Sequence, residues 1–543
     1  MTEKIKRMLP YAALACTLSV LAVLNIFFHD NWLDSDMAAE MIFSKLLSEE
    51  GHIFASPHWY YSTEFRLIYT QLIMTPLFKL TGSFHLIRGV TNMLTYVLLL
   101  GAYFYMMKPF KVRRSLTIMT ATVLLLPFSE TMMTHMQMGN TYMMHVILVL
   151  LFFGMLLRLA DSSFKRGRRI WLIVVYVLTG VVCGVSGVRY LLAIQCPLVI
   201  AAFIYLLKSE DFQLFRENFG ENKLSPAYFR RVVKCRSAYF LYYSLAGVVS
   251  AAAGYVVNVL YVSRSYVFQT YEATNFISVY QGSLMERLQD TFGSLIMLFG
   301  YIPDRGVISL RGLVSITAFV LLAVFVFIAV RVYKRCDGIR FFAALFFAAA
   351  FILNTFVFVF TTSTIVPRYY ITVFVFALPL IAFYFEGREY RLDKAVVAFL
   401  LIGGLLLGAA KTTLSFITTD KNEDKRQAAE FLVQNGYDFG YATYWNANII
   451  TELTDAEVEV ANIIDPEGLV FFTWSTPMKY YGEGYHTGKV FMLLASDEAE
   501  SYAECKAVLL GKKVYQNDGY TIYEYESAEA LLECGAEGGG IFR

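Results

Sequence analysis

The chain contains eleven apolar runs that are each long enough to cross a lipid bilayer. They fall near residues 8–28, 86–107, 115–131, 140–158, 170–187, 190–207, 238–262, 308–330, 341–361, 367–385 and 394–414. A helix of about 20 apolar residues spans the roughly 30 Å of bilayer hydrocarbon. Of the 543 residues, 57% are hydrophobic and only 17% are charged, unlike an ordinary soluble domain. The sequence therefore predicts an α-helical polytopic membrane protein with about eleven spanning helices. A shorter apolar segment, 291–303, is predicted to be re-entrant or interfacial.

Lysine and arginine are concentrated in alternate loops between these runs. One set of loops carries the basic stretches 4–7, 108–114, 165–169, 230–236, 331–340 and 388–394, whereas the other set has sparse positive charge. Short cytoplasmic loops of membrane proteins hold an excess of positive charge. We therefore expect a cytoplasmic N-terminus in a cytoplasmic-type cell membrane. The first run is expected to be a retained helix, because no small-residue cleavage site follows it.

The C-terminal part differs sharply in composition from the rest. Residues 415–543 carry 9 Lys and Arg against 22 Asp and Glu, a formal charge of −13, whereas residues 1–414 carry a formal charge of +15. After eleven crossings this acidic part is expected outside the cell or in the periplasm. The chain is therefore predicted to divide into a membrane domain, 1–414, and a soluble domain, 415–543. An acidic exterior domain argues against a nucleic-acid partner.

The soluble part shows alternating helix and strand patterns. A helical stretch that begins at Lys425 ends at Gly436, and aromatic or β-branched segments around 439–445, 489–496 and 519–525 are typical of strands. This order predicts a small α/β domain. Cys505 and Cys534 could form a disulfide in an oxidising exterior, although their spacing alone does not establish one.

The first predicted outer loop, about 29–85, is unusually long for a compact protein. Loops of such length are usually functional, and two helices along the membrane surface are expected within it. The loop holds several ionisable residues: Asp30, Asp34, Asp36, Glu40, His52, His58 and Glu64. Asp34 and Asp36 are well placed to cap a helix and to complement its dipole. Carboxylates at the mouth of a helix bundle are also candidates for a functional site, and the two interpretations are compatible.

The first loop resembles that of the GT-C membrane glycosyltransferases, which include protein O-mannosyltransferases and lipid A aminoarabinose transferases. Residues 34–38 (DSDMA) resemble the DxDEA motif of bacterial members, with Met37 where a further acid is common. Residues 60–64 (YYSTE) resemble a downstream YxGxLE segment, with Ser62 in place of glycine. The stretches 138–142 (MGNTY), 184–191 (GVSGVRYL) and 366–370 (VPRYY) are similar to such proteins but are less specific.

The resemblance implies transfer of a sugar from a polyprenyl-phosphate carrier to an extracytoplasmic acceptor, which could be a cell-surface glycan, a lipid or a protein. A carboxylate would take the proton of the acceptor hydroxyl, and Asp36 is the first candidate, with Asp34 as the alternative. Arg368, beside Tyr369, and Arg189 are candidates for stabilising the phosphate. For both arginines, anchoring at the membrane interface is the alternative interpretation.

Two further residues of the loop are candidate substrate ligands. Glu64 could orient the acceptor, or could bind a divalent cation such as Mg²⁺ or Mn²⁺ together with Asp34 and Asp36. His58 could donate a hydrogen bond to substrate, although a histidine beside aromatic residues is commonly an interfacial packing residue.

A transporter or lipid flippase is the main rival function. Such proteins commonly consist of two related halves with broken helices at matching positions. The long loop after the first helix has no counterpart in the second half of this sequence. A surface protein that merely anchors a binding domain would not need eleven helices. The sequence therefore favours the glycosyltransferase.

Overall fold

The computed structural model describes residues 3–161, 166–220, 226–269, 274–278, 283–303, 306–388 and 390–535. Lys165 of the predicted basic loop and residues 536–543 of the predicted soluble domain lie outside these ranges. The described part consists of a large helical body, followed by a mixed helix and strand region near the C-terminus.

The first half of the helical body comprises α1 (Glu3–Phe27), α2 (Ser35–Glu50), α3 (Gln71–Leu77), α4 (Phe84–Met107), α5 (Arg114–Leu125), α6 (Glu130–Met132), α7 (Met143–Leu159), α8 (Arg166–Val185) and α9 (Cys196–Leu207). The second half comprises α10 (Glu210–Gly220), α11 (Pro226–Lys234), α12 (Arg236–Val257), α13 (Ser263–Ser265), α14 (Ser283–Leu298), α15 (Leu310–Arg335), α16 (Gly338–Phe360), α17 (Ile371–Phe374), α18 (Ala377–Glu386) and α19 (Arg391–Thr418).

The protein is a multi-pass membrane protein, but the structure does not confirm the count of eleven spans. Seven of the described helices are long and apolar enough to cross a bilayer, and the number rises to ten if each of three bent pairs forms one span. The remaining predicted span corresponds to α7, which has 17 residues. The sharpest bend, 89°, separates Arg114–Leu125 from Glu130–Met138. Pro127 lies in this break, where it cannot continue the hydrogen bonding of a helix.

The helices α8 and α12 pack unusually closely through small residues. A Cβ atom on Gly184 would lie 1.9 Å from the carbonyl oxygen of Ala251, and one on Gly254 would lie 2.0 Å from that of Val181. Each helix thus places a glycine against the backbone of the other. In a bilayer, where helices gain little from the hydrophobic effect, such close packing supplies much of the association energy.

The first loop contains the two predicted helices, α2 and α3. Met37 and Met41 of α2 are buried, as an apolar face toward the bundle requires. Met37 also packs with Ile449, which belongs to the C-terminal region. The helix α2 therefore lies between the helical body and the C-terminal region, a position that its own sequence pattern did not indicate.

The C-terminal region has the predicted α/β organisation. Its helices are α20 (Glu423–Gln434), α21 (Tyr444–Leu453), α22 (Ser496–Ser501), α23 (Lys506–Leu510) and α24 (Ala528–Leu532). Gly436 ends the first of these helical segments with a φ of 74°, a left-handed conformation that glycine adopts without strain. Cys505 and Cys534 are both free thiols, so the disulfide considered from the sequence is not formed.

Two sheets organise the strands. The strands are β1 (Trp59–Tyr61), β2 (Val267–Phe268), β3 (Phe439–Thr443), β4 (Glu459–Ile463), β5 (Thr476–Pro477), β6 (Val490–Ala495), β7 (Lys512–Gln516) and β8 (Tyr520–Tyr525). The larger sheet has the order β4-β3-β6-β8-β7, with β3 parallel to β4 and β6, and β8 antiparallel to β6 and β7. The smaller sheet joins β1 of the first loop to β2 and β5. It therefore fastens the first loop to the C-terminal region.

Candidate active site

A polar cavity of about 420 Å³ lies where the first loop, the ends of several helices and the C-terminal region meet. The first loop contributes Asp36, Glu40, Glu64 and Arg66, whereas Tyr142, Arg189, Arg368 and Tyr369 come from the helical body. The C-terminal region contributes Tyr444, Trp445, Phe472 and Trp474. Five of the seven residues predicted from the sequence to form a site therefore line one cavity: Asp36, Glu64, Arg189, Arg368 and Tyr369.

The start of α2 separates the two aspartates of the DSDMA segment. Asp34 is the N-cap residue, and its Oδ1 accepts a hydrogen bond of 2.9 Å from the backbone N–H of Met37. Asp36 lies in the first turn, and its side chain lines the cavity. Asp34 does not line this cavity, because capping directs its carboxylate to the helix end. The capping prediction is confirmed for Asp34, and Asp36 is the aspartate that faces the candidate site.

Both oxygens of Asp36 have partners from distant parts of the chain. The hydroxyl of Tyr444 donates a hydrogen bond of 2.7 Å to Asp36 Oδ1. The Nη1 of Arg368 lies 3.7 Å from Asp36 Oδ2. Burial and the neighbouring Asp36 charge raise the pKa of Tyr444 well above its usual value. Tyr444 therefore stays protonated and remains a hydrogen-bond donor throughout the physiological pH range.

The second carboxylate of the cavity, Glu64, is held between two arginines. Its Oε1 forms an ion pair with Arg189 Nε, and its Oε2 lies 3.7 Å from Arg66 Nε. Arg66 also forms an ion pair with Glu40. Glu64 thus fixes the positions of Arg66 and Arg189 on one wall of the cavity.

Arg189 is further held by aromatic residues. Its Nη1 donates a hydrogen bond of 2.8 Å to the hydroxyl of Tyr142, and its guanidinium lies over the rings of Tyr142 and Tyr369 at 5.2 and 5.5 Å. Arg368 is held less tightly. In the described part of the chain, its carboxylate contact is with Asp36, and the two groups are 3.7 Å apart. Arg368 is therefore the cavity arginine whose charge is best available for a bound anion.

A second cavity, apolar and of about 670 Å³, is lined in part by a residue that directly follows two residues of the polar cavity. Arg368 and Tyr369 line the polar cavity, whereas Tyr370 lines the apolar cavity together with Phe299, Phe325 and Phe374. The short helical turn Pro367–Tyr370 that precedes α17 therefore presents side chains to both. This arrangement can accommodate a ligand with a charged head and a long apolar tail.

His58 is a predicted substrate ligand that the structure places elsewhere. Its Nδ1 lies 2.7 Å from Glu50 Oε1, and 69% of its side chain is exposed. It does not line the polar cavity. The structure thus places His58 in a surface contact with Glu50, the last residue of α2, and away from the cavity.

The predicted metal ligands Asp34, Asp36 and Glu64 are not brought together. Asp34 caps α2, and Glu64 is occupied by the two arginines. Within the described residues, the group of three side chains with convergent ligand atoms consists instead of His29, Asp30 and His85. The arrangement around Asp36 therefore does not support a divalent cation held by these three carboxylates.

Arg66 and Tyr444 are among the cavity residues that were not identified from the sequence as site residues. Arg66 directly follows the YYSTEF segment, so its proximity to the motif was an available signal. Tyr444 lies in the C-terminal region, 408 residues from Asp36, and no local pattern indicates which tail residue reaches the first loop. Its role emerges only from the docking of α21 against α2.

No protein-family model and no curated protein matches this sequence. The structure is nevertheless similar to two crystal structures of ArnT from Cupriavidus metallidurans. The apo structure matches with a TM-score of 0.56 and 10% identity, over 95% of this chain and 97% of that chain. The structure bound to undecaprenyl phosphate matches with a TM-score of 0.54 and 11% identity, over 96% and 98% of the two chains. This chain therefore has the fold of these ArnT structures, and the fold that the resemblance of its first loop predicts is confirmed.

Proposed function

We propose that this protein is a membrane glycosyltransferase that moves a sugar from a polyprenyl-phosphate carrier to an acceptor outside the cytoplasm. The observation that carries the proposal is the placement of Asp36 opposite Arg368, 3.7 Å apart, in a polar cavity of an ArnT-like fold. A carboxylate beside a guanidinium supplies the two groups that glycosyl transfer from a phosphate requires.

The presence of a polar and an apolar cavity, lined by residues that are neighbours in sequence, supports a lipid-linked donor. One of the ArnT structures contains undecaprenyl phosphate, a long apolar chain with a phosphate at its end. In this chain, the apolar cavity that Tyr370 lines suits a polyprenyl tail, and Arg368 lies two residues away in the polar cavity. The planar guanidinium of Arg368 can bind two phosphate oxygens at once.

The proposed reaction uses Asp36 as the general base. The oxygen of the acceptor hydroxyl forms a bond to the anomeric carbon while the proton of that hydroxyl passes to Asp36 Oδ2. The bond between the anomeric carbon and the phosphate oxygen breaks, and the polyprenyl phosphate leaves with its electron pair. Arg368 stabilises the negative charge that develops on this phosphate. The Tyr444 hydrogen bond to Oδ1 orients the carboxylate for the proton transfer.

The proposed orientation places the cavity outside the cytoplasm. The basic loops described above define the cytoplasmic face, and the polar cavity is formed by the first loop and the acidic C-terminal region. Single cysteines introduced at Lys111 and at Glu483 would test this topology with a membrane-impermeant maleimide. Labelling of intact cells at position 483 and not at position 111 is expected, and the opposite pattern would reverse the orientation.

The central experiment is sugar transfer by the purified protein in detergent from a panel of polyprenyl-phosphate sugars. We expect Asp36→Asn to lower kcat by about 100-fold to 10,000-fold, the range typical for loss of a general base. Asp34→Asn is the matched control. Asparagine also caps helices, so this variant is expected to retain activity within about threefold of wild type.

The possible outcomes test the transferase function and the assignment of the base separately. If Asp34→Asn abolishes transfer and Asp36→Asn does not, the protein is a transferase and the assignment of the base is wrong. If no donor on the panel is consumed by the wild-type protein, the transferase function fails. Movement of a lipid-linked sugar across proteoliposomes without donor consumption would then establish the transporter or flippase alternative.

A further inference from the structure

A second cluster of functional side chains lies outside the polar cavity, where α1 ends and α4 begins. The Nε2 of His29 lies 2.7 Å from Asp30 Oδ1, and the Nδ1 of His85 lies 3.2 Å from Asp30 Oδ2. One ligand atom from each of these three residues lies within 4.8 Å of the other two. The ring centroids of the two histidines are 4.3 Å apart. Two imidazoles and a carboxylate thus converge on one point.

Backbone carbonyls fix the orientation of both imidazoles. The Nδ1 of His29 donates a hydrogen bond of 3.0 Å to the carbonyl of Asn25, and the Nε2 of His85 donates one of 2.9 Å to the carbonyl of Ile26. A carbonyl oxygen only accepts, so these two nitrogens carry the ring protons. In the neutral rings, His29 Nε2 and His85 Nδ1 therefore direct lone pairs toward Asp30.

This convergence needs a positive charge. Two lone pairs and an ionised carboxylate repel one another unless a proton or a metal cation lies between them. His29 is only 2% exposed, and the 2.7 Å contact of its Nε2 with Asp30 Oδ1 lacks the geometry of a regular hydrogen bond. Such a contact between a buried nitrogen and a carboxylate is consistent with a ligand that both atoms share.

We propose that His29, Asp30 and His85 bind one divalent transition metal ion, with zinc as the preferred ion. Two imidazole nitrogens and one carboxylate oxygen suit zinc better than the hard cations Mg²⁺ and Ca²⁺. Tetrahedral zinc with ligand bonds of about 2.0–2.2 Å separates its ligand atoms by about 3.4 Å. The contacts observed here, 2.7 and 3.2 Å, are shorter, so the side chains would move apart by a fraction of an ångström to admit the ion. Hydrogen bonds from metal-bound imidazoles to backbone carbonyls are also typical of such sites.

The site remains reachable from solvent on one side. The side chain of His85 is 45% exposed and that of Asp30 is 32% exposed, so a metal ion can enter there and a water molecule can fill the fourth position. None of the three residues lines the polar cavity. The metal ion therefore has a structural role that is distinct from the proposed transfer chemistry.

The metal ion would join two segments near the candidate active site. It connects the turn at His29–Trp32, which directly follows α1, to the first turn of α4. Asn422 Nδ2 donates hydrogen bonds to the carbonyls of Asp30 and Leu33, at 2.8 and 2.9 Å, so the C-terminal region docks on the same turn. Binding of the metal is thus expected to stabilise the junction that precedes Asp34 and Asp36.

The test uses full-length, tag-free protein in detergent that has been stripped with a chelator. Titration with zinc chloride, followed by calorimetry and by thermal unfolding, is expected to show one ion per chain and a higher Tm. Magnesium chloride at the same concentration is expected to leave the Tm unchanged. Cobalt(II) provides a direct probe, because its visible absorption reports nitrogen ligands in a tetrahedral site.

Two variants and one control locate the site. His85→Gln removes the exposed imidazole. Asp30→Asn removes the charge of the carboxylate and keeps its shape. Each variant is expected to weaken zinc binding at least tenfold and to abolish the rise in Tm. The control is His58→Gln. His52 and His58 also share a carboxylate, that of Glu50, at 3.2 and 2.7 Å, yet they do not form a group of three convergent ligands.

The proposal is overturned if zinc leaves the Tm unchanged, or if His85→Gln and Asp30→Asn bind zinc as tightly as wild type. Loss of binding in His58→Gln alone would assign the metal to the Glu50 cluster instead. A wild-type protein that binds no zinc would leave a proton shared between an imidazole and Asp30 as the balancing charge. All of these measurements are independent of glycosyl transfer, so they stand whether or not the proposed function is correct.

Discussion

The Tyr444 hydroxyl donates a hydrogen bond of 2.7 Å to Asp36 Oδ1, and this contact joins the C-terminal region to the first loop across 408 residues of sequence. Asp36 is the proposed general base, so the C-terminal region supplies a direct partner of the reacting carboxylate. The region therefore completes the candidate site as well as covering it.

Tyr444→Phe is expected to lower kcat by about 10-fold to 100-fold, because a hydrogen bond to a charged group contributes about 1.5–3 kcal/mol. The KM for the donor should change little, since Tyr444 positions the base and does not contact the phosphate in the proposed mechanism. Tyr520→Phe is the matched control, because its hydroxyl contacts Asn446 outside the cavity lining. Equal activity of Tyr444→Phe and wild type would show that the contact is not used in catalysis.

Arg368→Gln is expected to raise the KM for the lipid-linked donor and to lower kcat/KM by about 100-fold, as loss of a charge-assisted contact to phosphate implies. Arg368→Lys should recover only part of this loss, because lysine cannot bind two phosphate oxygens with one planar group. The assay is initial-rate kinetics with varied donor.

The control for this experiment is Arg113→Gln. Arg113 is also an arginine that approaches a carboxylate loosely, with 3.9 Å between its Nε and Glu386 Oε1, but it does not line the polar cavity. An equal loss of activity in both variants would indicate a general effect of removing surface charge and would contradict a specific role for Arg368.

Arg88 and Glu452 form a buried ion pair between the helical body and the C-terminal region. Arg88 Nε donates to Glu452 Oε1 at 2.8 Å, Arg88 Nη2 donates to Oε2 at 2.6 Å, and the side chains are 1% and 3% exposed. Glu452→Ala leaves a buried arginine without its partner and is expected to destabilise the protein by about 3–5 kcal/mol.

Thermal unfolding and limited proteolysis of the C-terminal region would measure this effect. The exposed pair Lys421 and Glu130 is the control, and Glu130→Gln is expected to cost less than about 1 kcal/mol. Similar melting temperatures for the two variants would contradict a structural role for the buried pair.

The stability of the protein should depend on the ionisation of Asp34. Burial and the charge of Asp36 raise the pKa of Asp34 from 3.8 to about 6 in the folded protein. The folded state therefore binds this proton more tightly than the unfolded state. The resulting stabilisation is complete below about pH 4 and is lost as the pH rises through about 6.

Asp34→Asn keeps the cap but cannot ionise. It should therefore unfold at a higher temperature than wild type at pH 7.5, by an amount that corresponds to about 3 kcal/mol, and the advantage should vanish near pH 4. Thermal unfolding of both proteins between pH 4 and pH 7.5 checks this expectation. A difference that is independent of pH would mean that Asp34 does not titrate in this range.

Gly184→Ala is expected to destabilise the protein strongly, because the new Cβ atom would lie 1.9 Å from the Ala251 carbonyl oxygen and would force α8 and α12 apart. Gly101→Ala is the matched control. Gly101 also lies inside a spanning helix, α4, but a Cβ atom there meets nothing within 4 Å. Unfolding in detergent should give a lower Tm for the first variant and an equal or higher Tm for the second.

The helical membrane class, the α/β tail and the capped helix after Asp34 could all be predicted from the sequence. Each depends on a local pattern: a run of about 20 apolar residues, an alternation of helix and strand signals, or an aspartate before an apolar helical face. The count of spans was less predictable, because hydropathy does not reveal where a run such as 115–131 bends by 89°.

In the candidate site, too, some residues could be predicted from the sequence and others could not. The acidic motif identified Asp36, and the ends of apolar runs drew attention to Arg189 and Arg368. The same reasoning also selected His58, which faces solvent, and grouped Asp34 and Glu64 as metal ligands, although one caps a helix and the other pairs with arginines. Sequence patterns indicate which residue types are present, but they do not define the direction of a side chain in a loop.

Hydropathy and charge along the sequence by themselves determined that this chain enters a membrane many times and has an acidic C-terminal region. The tertiary structure decided that Tyr444 reaches Asp36, that Arg88 meets Glu452, and that His29 and His85 converge on Asp30. The physical reason is the range of the interactions. Hydropathy and capping act within a few turns of one helix, whereas these contacts form only when segments far apart in the sequence pack against one another.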